Sequence, residues 1–584
     1  MREGSSRSRA YLWIVLLAAC LRIYWLVTQP VVISNEGAEY ARIAENLVKG
    51  IGYVGTMGGP QLIFPPLYPI LIAALHFLVG DFELAGRIVS LILGTCLVIP
   101  VYGIANLFYG RRVALIGAIL IACHPILVGL SAEVYSESPY ATLLFAGVYW
   151  SVRALRLQSY KHCLAAGISL GLAHLVRPEA IVVPVLCLFS LLVVGILNRK
   201  EIRKAIYGGA LLVAVFGAVI TPYVVFLTLR SGTLITDGKH NINAWIRSRM
   251  NSGMSYTRAE VGVSRDLVEE GPLLTPNSFV ARSPFKNGLA DVIPYALKTA
   301  RDNVRDVFHA IFALHFGYPI LLFLIIIGLF RTPWNLQRTI DEGFLLLLFS
   351  AFTMAVLFGA PSVWPRHTFP LLPFLLVWAA KGSDELSDWA EKSVSSIGQN
   401  LGGLAARAGL AVRLISPVAL LLLAALGFRY VGDLQGSYGG NVSSKRAGLW
   451  LREYMPGSDK RIMDTGLSVA YYAGGFWDPL PYAESDVVLR YIQKKSPTFI
   501  VLRGKAGLSH PYVADWLSNG IPDEGAKLIY HGGIRPEDQI KIYRWVGRGQ
   551  DKEPISQPNN IAPPQASPTS SPKHNPGDQG RPGP

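Results

Sequence analysis

Long apolar runs alternate with short polar connections over the first 431 residues of the chain. Many of these runs approach or exceed the roughly 18 residues that a helix needs to cross a bilayer. The pattern therefore predicts a polytopic α-helical membrane protein. We count eleven spans, at about 11–29, 86–108, 113–130, 138–156, 162–176, 179–197, 206–229, 310–330, 342–360, 367–380 and 414–431.

The polar connections separate by charge. Short basic connections, such as the one with Arg111 and Arg112 and the segment at 198–204, mark the cytoplasmic face, where short loops carry an excess of Lys and Arg. With eleven spans, a second set of charged residues falls on the opposite, extracytoplasmic face, together with a first loop at 30–85 and a long loop at 230–309. That set contains Glu36, Glu133, Glu137, Arg177 and Arg366.

The pattern changes after the last predicted span. Residues 432–548 contain short helical and strand-like runs, among them the buried-strand sequence TFIVLR at 498–503, and predict a small extracytoplasmic α/β domain. Residues 549–584 are rich in Pro, Ser, Gln and Gly, which predicts a disordered tail. The expected organisation is a transmembrane catalytic module (1–431), this domain and the tail.

Composition supports the membrane assignment. The chain is 51% hydrophobic and 16% charged, whereas a soluble domain carries about 25% charged residues. The net charge of +15 comes largely from the connections between apolar runs, and no basic face with interleaved aromatics indicates nucleic-acid binding. The five cysteines lie in apolar runs without metal-site spacing and are predicted to be core residues.

Acidic residues are the first candidates for chemistry. Glu36 follows the first span, where a carboxylate beside the membrane can take a proton from an attacking hydroxyl, although it could also be a solvated loop acid. Glu133 and Glu137 are four residues apart, so a helical turn would place both on one face. They could equally complement the dipole of the following helix.

Arginines supply the second half of the candidate site. Arg366, followed by His367, opens the tenth span, and a guanidinium group there fits a phosphate with paired donors or extends to the interface as an anchor. Arg177 flanks a short helix and has Glu179 as a candidate partner. Arg87 is a further candidate phosphate contact, although helix-end anchoring is favoured there. Together these groups suit transfer from a lipid phosphate to an acceptor.

Several motifs resemble those of the GT-C membrane glycosyltransferases. The sequence SNEGAEYARIAENLVKGIGY at 34–53, PPLYP at 65–69 and Arg87 resemble their first loop. YSESPY at 135–140 resembles their second acidic loop, and RHTFPLLPFLLVWAA at 366–380 resembles a late arginine-then-proline helix. The similarity is greatest to the dolichyl-phosphate-mannose-protein mannosyltransferase-like proteins, including the bacterial aminoarabinose transferases.

The resemblance implies a polyprenyl-phosphate sugar donor, an inverting transfer and catalysis on the extracytoplasmic face. Glu36 then stands where the family usually has Asp, Glu137 is the second acid, and Arg366, with Arg177 or Arg87, contacts the donor phosphate. Tyr40, Glu133 and His367 are expected to support these groups. Participation of a divalent metal ion stays open, since no motif fixes one. The acceptor is expected to be a protein, a lipid or a cell-envelope glycan.

Two other functions remain open at this point. A transporter or flippase of lipid-linked sugars would favour repeated halves and interrupted helices around a midplane site, whereas the ionisable residues here gather at one edge. An assembly protein that only presents lipid-linked sugars is the third possibility. All three hypotheses place the chain in a membrane, which we expect to be a bacterial plasma membrane.

Overall fold

A computed structural model describes residues 2–29, 32–197, 201–311, 319–397 and 442–546, apart from 458, 505–508, 534 and 536–537. The predicted span at 414–431 and the predicted disordered tail lie outside the described residues. The first 397 residues form a helical module, and residues 442–546 form a separate α/β layer structure, as the sequence predicts.

The helical module contains seventeen labelled helices among the described residues. They are α1 Arg2–Thr28, α2 Asn35–Val48, α3 Leu67–Val79, α4 Phe82–Cys96, α5 Val98–Cys123, α6 Pro125–Leu130, α7 Glu137–Leu157, α8 Tyr160–His174, α9 Val182–Leu197, α10 Ile202–Ser231, α11 Lys239–Asn251, α12 Tyr256–Val261, α13 Pro276–Val280, α14 Leu289–His309, α15 Pro319–Phe330, α16 Leu336–Gly359 and α17 Leu372–Ile397. Short 3₁₀ turns at Pro178–Ile181 and Pro365–Leu371 precede α9 and α17.

Five helical stretches among the described residues are long and apolar enough to cross a membrane. They are Tyr11–Thr28, Phe82–Cys123, Pro178–Leu197, Ile202–Ser231 and Glu342–Gly359. The stretch Phe82–Cys123 contains the second predicted span, 86–108, and most of the third, which was predicted at 113–130. The backbone leaves helical geometry between them, at Gly110 (φ 82°). This positive φ suits glycine and lies at the basic connection that was predicted to be cytoplasmic.

Small residues let two of the helices approach closely. A Cβ atom added at Gly167 of α8 would lie 2.7 Å from the Leu212 carbonyl oxygen of α10, and one added at Gly171 would lie 2.7 Å from the Val219 side chain. Small residues four positions apart are the usual means of close helix contact in membranes. The closely packed α8–α10 pair therefore supports the turn after α8, which contains Arg177.

Two boundaries differ from those predicted. The segment predicted as a long loop at 230–309 contains the four helices α11 to α14. The tenth span was predicted to end at about residue 380, but its helix continues to Ile397. In both places amphipathic helices pack one face against the module, and average composition does not show this periodicity.

The α/β domain is built on a five-stranded sheet in the order β2-β1-β3-β5-β4. Its strands are β1 Arg461–Asp464, β2 Phe476–Pro479, β3 Phe499–Arg503, β4 Ala526–Gly532 and β5 Ile540–Trp545. β1 pairs in parallel with β2 and β3, whereas β5 runs antiparallel to β3 and β4. The helices are α18 Val442–Tyr454, α19 Ser468–Ala473, α20 Ser485–Lys495 and α21 Val513–Asn519.

Alternate residues of β3 face opposite sides of this sheet, as the two-residue period of a strand requires. Phe499 and Val501 pack with α18 and α19, whereas Ile500 and Leu502 pack with α20 and α21. The sheet is therefore covered by helices on both faces, and this burial explains why the four central residues of TFIVLR are all apolar.

Polar contacts hold the domain on the helical module. The Glu83 carboxylate of α4 accepts hydrogen bonds from Tyr472 (2.9 Å), Lys445 (3.2 Å) and Arg87 (2.5 Å). The Arg42 guanidinium of α2 donates to the Tyr471 carbonyl oxygen at 3.0 Å. These contacts fix the domain above the beginning of α2, where Glu36 lies.

Candidate active site

Helix α2 presents Glu36 in its first turn. Ser34 caps the helix by accepting a hydrogen bond from the Gly37 N–H at 3.1 Å, which satisfies one of the free amide groups of the helix start. A Cβ atom at Gly37 would lie 2.8 Å from the Val134 carbonyl oxygen. Glycine at this position therefore brings the first loop directly against the segment that carries Glu133 and Glu137.

Glu36 and Arg366 form a two-point ion pair. The two terminal nitrogens of Arg366 donate to the two carboxylate oxygens of Glu36 at 2.9 and 3.2 Å. Arg366 comes from the 3₁₀ turn before α17 and also lies over the Tyr135 ring at 5.9 Å. Paired, planar contacts of this kind are strong and directional, so the pair joins the two ends of the helical module.

This ion pair lies in a cavity of about 450 Å³, a size that suits a sugar-sized ligand. The cavity is lined by residues of the first loop, the long loop, the turn before α17 and the α/β domain. Its acidic, basic and imidazole side chains are Glu36, Glu39, Arg177, Lys239, Glu260, Arg366, His367, Asp464 and His510.

The α/β domain contributes the carboxyl ends of β1 and β2 to the cavity, through Asp464 and Pro479. Asp464 is buried and accepts a 2.8 Å hydrogen bond from the guanidinium of Arg503. The following turn contacts α2, since the Leu467 N–H donates to the Asn35 side chain at 2.9 Å. The carboxyl edge of parallel strands is the usual ligand edge of an α/β sheet, and here it faces Glu36.

Arg177 connects the cavity to a second, buried acid. Its guanidinium donates to Glu137 at 2.9 Å and to Glu179 at 3.3 Å. Arg177 lines the cavity, whereas Glu137 is buried beneath it and is not among the lining residues. Glu137 therefore acts on the cavity through Arg177, in contrast to Glu36.

The other predicted site residues lie at different distances from the cavity. Tyr40 is buried between the rings of Phe64 and Tyr68, at 5.1 and 5.0 Å, and Glu133 is buried. Neither lines the cavity, and neither does Arg87, which contacts Glu83. His367 does line it. A phosphate contact by Arg87 stays a prediction for which this structure offers no geometry.

Glu39 borders the cavity, but its carboxylate is already occupied. It accepts hydrogen bonds from the Thr56 N–H (3.1 Å), the Thr56 hydroxyl and the Gln61 amide (2.5 Å). A Cβ atom at Gly55 would lie 1.9 Å from a Glu39 oxygen, so glycine is needed there. Glu39 thus holds the 55–61 loop.

The cavity has a positive electrostatic potential around Glu36 and His367. Burial alone would raise the pKa of Glu36, but the positive charges of Arg366, Lys239 and Arg177 outweigh it and lower that pKa to about 2. Burial and the same three cations lower the pKa of His367 to about 3, so this imidazole is neutral at physiological pH. A phosphate monoanion is a ligand of the charge that such a site attracts.

Lys239 and Glu260 are two of the cavity residues that the sequence did not single out. Lys239 is the first residue of α11 and lies 6.0 Å from the centre of the Phe64 ring. Glu260 lies in α12 and accepts a 3.4 Å hydrogen bond from the Tyr256 hydroxyl. Both belong to a loop with charges of either sign, and no motif separates them from their neighbours.

Glu260 is expected to make the stability of the protein depend on pH near neutrality. Burial raises its pKa from 4.5 to about 7, so the folded protein holds this proton more tightly than the unfolded chain does. The benefit is fully present below about pH 4.5 and is lost as the pH rises through 7. Glu260→Gln should therefore raise the apparent melting temperature relative to wild type more at pH 9 than at pH 5.

The control for this measurement is Glu453→Gln, which removes an exposed carboxylate of α18. Its melting temperature should follow that of the wild type at every pH. An equal offset of Glu260→Gln at both pH values would contradict the assignment of a neutral-range titration to Glu260.

Comparison with known proteins identifies the architecture. The family model of the dolichyl-phosphate-mannose-protein mannosyltransferases matches residues 64–226. The structure is similar to that of the oligosaccharyltransferase of Archaeoglobus fulgidus, with a TM-score of 0.58 and 15% identity over 93% of this chain and 75% of that chain. ArnT of Cupriavidus metallidurans bound to undecaprenyl phosphate gives a TM-score of 0.53 and 14% identity over 91% and 98%. The chain has the GT-C fold of membrane glycosyltransferases.

The GT-C resemblance predicted from the motifs is thereby confirmed. The matched segment contains Glu137 and Arg177, whereas Glu36 and Arg366 lie outside it. None of the curated proteins compared matches the chain in sequence.

The site residues do not fit a metal ion. One structure of the Archaeoglobus oligosaccharyltransferase contains zinc and sulfate. In the part of this chain that the structure describes, no three His, Cys, Asp or Glu side chains are grouped to hold a metal. Glu36 and Glu137 are each paired with an arginine instead. These acids are thus arranged around guanidinium groups.

Proposed function

We propose that this GT-C protein is a glycosyltransferase that moves a sugar from a polyprenyl-phosphate donor to an acceptor on the extracytoplasmic face, with inversion at the sugar. The observation that carries the proposal is the Glu36–Arg366 pair. It places a carboxylate and a phosphate-binding group side by side in a cavity of sugar size, at the junction of the helical module and the α/β domain.

In the proposed reaction the acceptor hydroxyl or amine attacks the anomeric carbon of the donor. Glu36 takes the proton of the attacking group, and the bond between the anomeric carbon and the phosphate oxygen breaks. The electron pair of that bond leaves with the polyprenyl phosphate. Arg366, Lys239 and Arg177 stabilise the charge that develops on this leaving group.

The ion pair also couples donor binding to the strength of the base. With Arg366 on Glu36, the low pKa of Glu36 makes it a weak base. A donor phosphate that draws Arg366 away removes the largest of the positive charges acting on Glu36, and burial then raises the pKa of the carboxyl group. The proposed base therefore becomes stronger only when the donor is bound.

The comparisons support this class of donor. ArnT was solved with undecaprenyl phosphate, and the Archaeoglobus oligosaccharyltransferase with an inhibitory peptide and a dolichol-phosphate. For this chain the acceptor, a protein, lipid or envelope glycan, is proposed to be selected by the α/β domain at 432–548 and the long loop at 230–309. Both segments line the cavity opposite Glu36.

The proposal is tested by following the two halves of the donor. Mass analysis of membrane lipids from cells lacking the gene should show an accumulated lipid-linked sugar, which identifies the donor. This donor, labelled in its sugar, is then added with an envelope extract to proteoliposomes that contain the full-length protein. We expect the label in an acceptor fraction and free polyprenyl phosphate in equal amount. Movement of the intact lipid-linked sugar across the bilayer, without release of polyprenyl phosphate, would establish a flippase instead.

A further inference from the structure

Helix α14, Leu289–His309, exposes a continuous apolar stripe. Its exposed side chains are Leu289 (73%), Ile293 (54%), Leu297 (64%), Val304 (55%) and Phe308 (64%). The spacings of four, four, seven and four residues put all five on one face of the helix. Single exposed apolar residues are ordinary, whereas a contiguous stripe of this kind marks a contact surface.

The helix is held in this orientation by its other side. Thr299, Asn303 and Val307 are buried against the module. The Asn303 amide donates to the carbonyl oxygens of Leu357 (3.2 Å) and Ala360 (2.9 Å). Rotation of the helix to bury the apolar stripe would break these hydrogen bonds, so the exposure of the stripe is built into the fold.

A second anchor comes from α11. The Arg247 guanidinium donates to the Thr299 hydroxyl at 3.2 Å and to the Asp302 carboxylate at 2.6 Å. The same guanidinium donates to the Pro361 carbonyl oxygen at 3.1 Å. Arg247 is therefore a bridge between α14 and the segment that leads to Arg366.

The contact between α14 and the end of α16 indicates what covers the stripe. Leu357 lies in the last turn of α16, within the candidate membrane span Glu342–Gly359. The anchored face of α14 thus packs at the end of a helix that is long and apolar enough to span a membrane. Arg301 and Arg305 are exposed on the edge of the stripe, where basic residues of interfacial helices meet lipid phosphates.

We propose that α14 lies in the plane of the membrane, with its apolar stripe among the acyl chains of one leaflet and Arg301 and Arg305 at the phospholipid phosphates. The partner surface is the bilayer itself rather than a second protein. Because α14 is fastened to Ala360 and Pro361, the interface passes beside the turn that carries Arg366. This inference does not depend on the proposed glycosyltransferase activity.

Photocrosslinking in proteoliposomes tests this placement. p-Benzoylphenylalanine is introduced at Ile293 or Leu297 in the full-length protein, reconstituted in mixed phosphatidylcholine and phosphatidylglycerol vesicles. In the matched control, p-benzoylphenylalanine replaces Asp306, which is exposed on the polar side of α14. After irradiation, peptide mass analysis should show about tenfold more phospholipid adduct at 293 and 297 than at 306.

Two results would overturn the inference. One is phospholipid adduct at 293 and 297 no greater than at 306, since the stripe would then face water. The other is a crosslink from 293 or 297 to a second copy of the chain in place of lipid, which would make the stripe a subunit interface. Both replaced residues are exposed, so the substitutions remove no core packing, and retained monodisperse elution in detergent verifies the fold.

Discussion

Glu36→Gln is expected to reduce sugar transfer by about 10²–10⁴-fold, the usual contribution of a positioned general base. Glutamine keeps the size of the side chain and one oxygen that can accept a hydrogen bond from Arg366, but it cannot take the proton of the acceptor. The rate of polyprenyl phosphate release from the labelled donor in proteoliposomes measures the effect. Donor binding should survive, because Arg366, Arg177 and Lys239 all remain.

The matched control is Glu45→Gln on the same helix. Glu45 pairs with Arg42 and Lys49 and is not among the residues that line the cavity, so this variant should transfer at nearly the wild-type rate. Glu36→Asp is informative as well, since the resemblance to GT-C enzymes implies that aspartate usually occupies this position. Wild-type turnover in Glu36→Gln would remove Glu36 from the proposed reaction.

The fold and the proximity of Glu36 and Arg366 could be predicted because the sequence indicates which loops share a face of the membrane. Apolar run lengths and basic connections assign each loop to a face of the membrane. That rule alone put Glu36 and Arg366, which are 330 residues apart, on the same face. Packing of the apolar helix faces against one another then brings these two residues into contact.

The other half of the site depends on packing that no local pattern encodes. Lys239, Glu260 and Asp464 come from the long loop and the α/β domain, and they reach the cavity only because those segments fold over α2. Residues 230–309 were predicted only as a long extracytoplasmic loop. Its helix α14 nevertheless has apolar residues at helical spacing, which is a signal present in the sequence itself.

Arg22, in the helical module, is a second example of contacts that the local sequence does not predict. It is fully buried in α1, where the sequence shows one arginine in an apolar run. Its guanidinium donates to the Ser131 hydroxyl at 3.2 Å and to the Ala122 carbonyl oxygen at 3.1 Å. Ala122 lies in the last turn of α5, where the helix dipole favours a cation. Partners about 100 residues away cannot be read from the sequence around Arg22.

Arg366→Met is expected to have an effect of similar size by a different route. The variant loses a preorganised cation at the leaving phosphate, which costs about 10²–10³-fold in the rate of transfer. It also leaves Glu36 without its ion-pair partner. Arg366→Lys keeps a charge but not the paired geometry of the guanidinium group, so it should recover only part of the loss.

The pH dependence separates these two consequences. In the donor-free wild type the pKa of Glu36 is about 2. Because kcat/KM reports on the free enzyme, Glu36 gives kcat/KM for the donor no acid limb near neutrality. Without Arg366, burial is opposed only by the remaining cations, and the pKa of Glu36 rises. The residual transfer by Arg366→Met should then fall as the pH is lowered from about 8 to about 5, as protonation removes the base.

The stability of the variant should change in the same direction. The depressed pKa of Glu36 stabilises the wild type above its ordinary pKa of 4.5, and this contribution is lost as the pH falls towards 2. Arg366→Met gives up that contribution, so its melting temperature should fall furthest below that of the wild type near neutral pH.

The double variant Glu36→Gln with Arg366→Met should recover part of the loss, because no unpaired carboxylate is then buried. A double variant no more stable than Arg366→Met would show that the pair does not act as a unit.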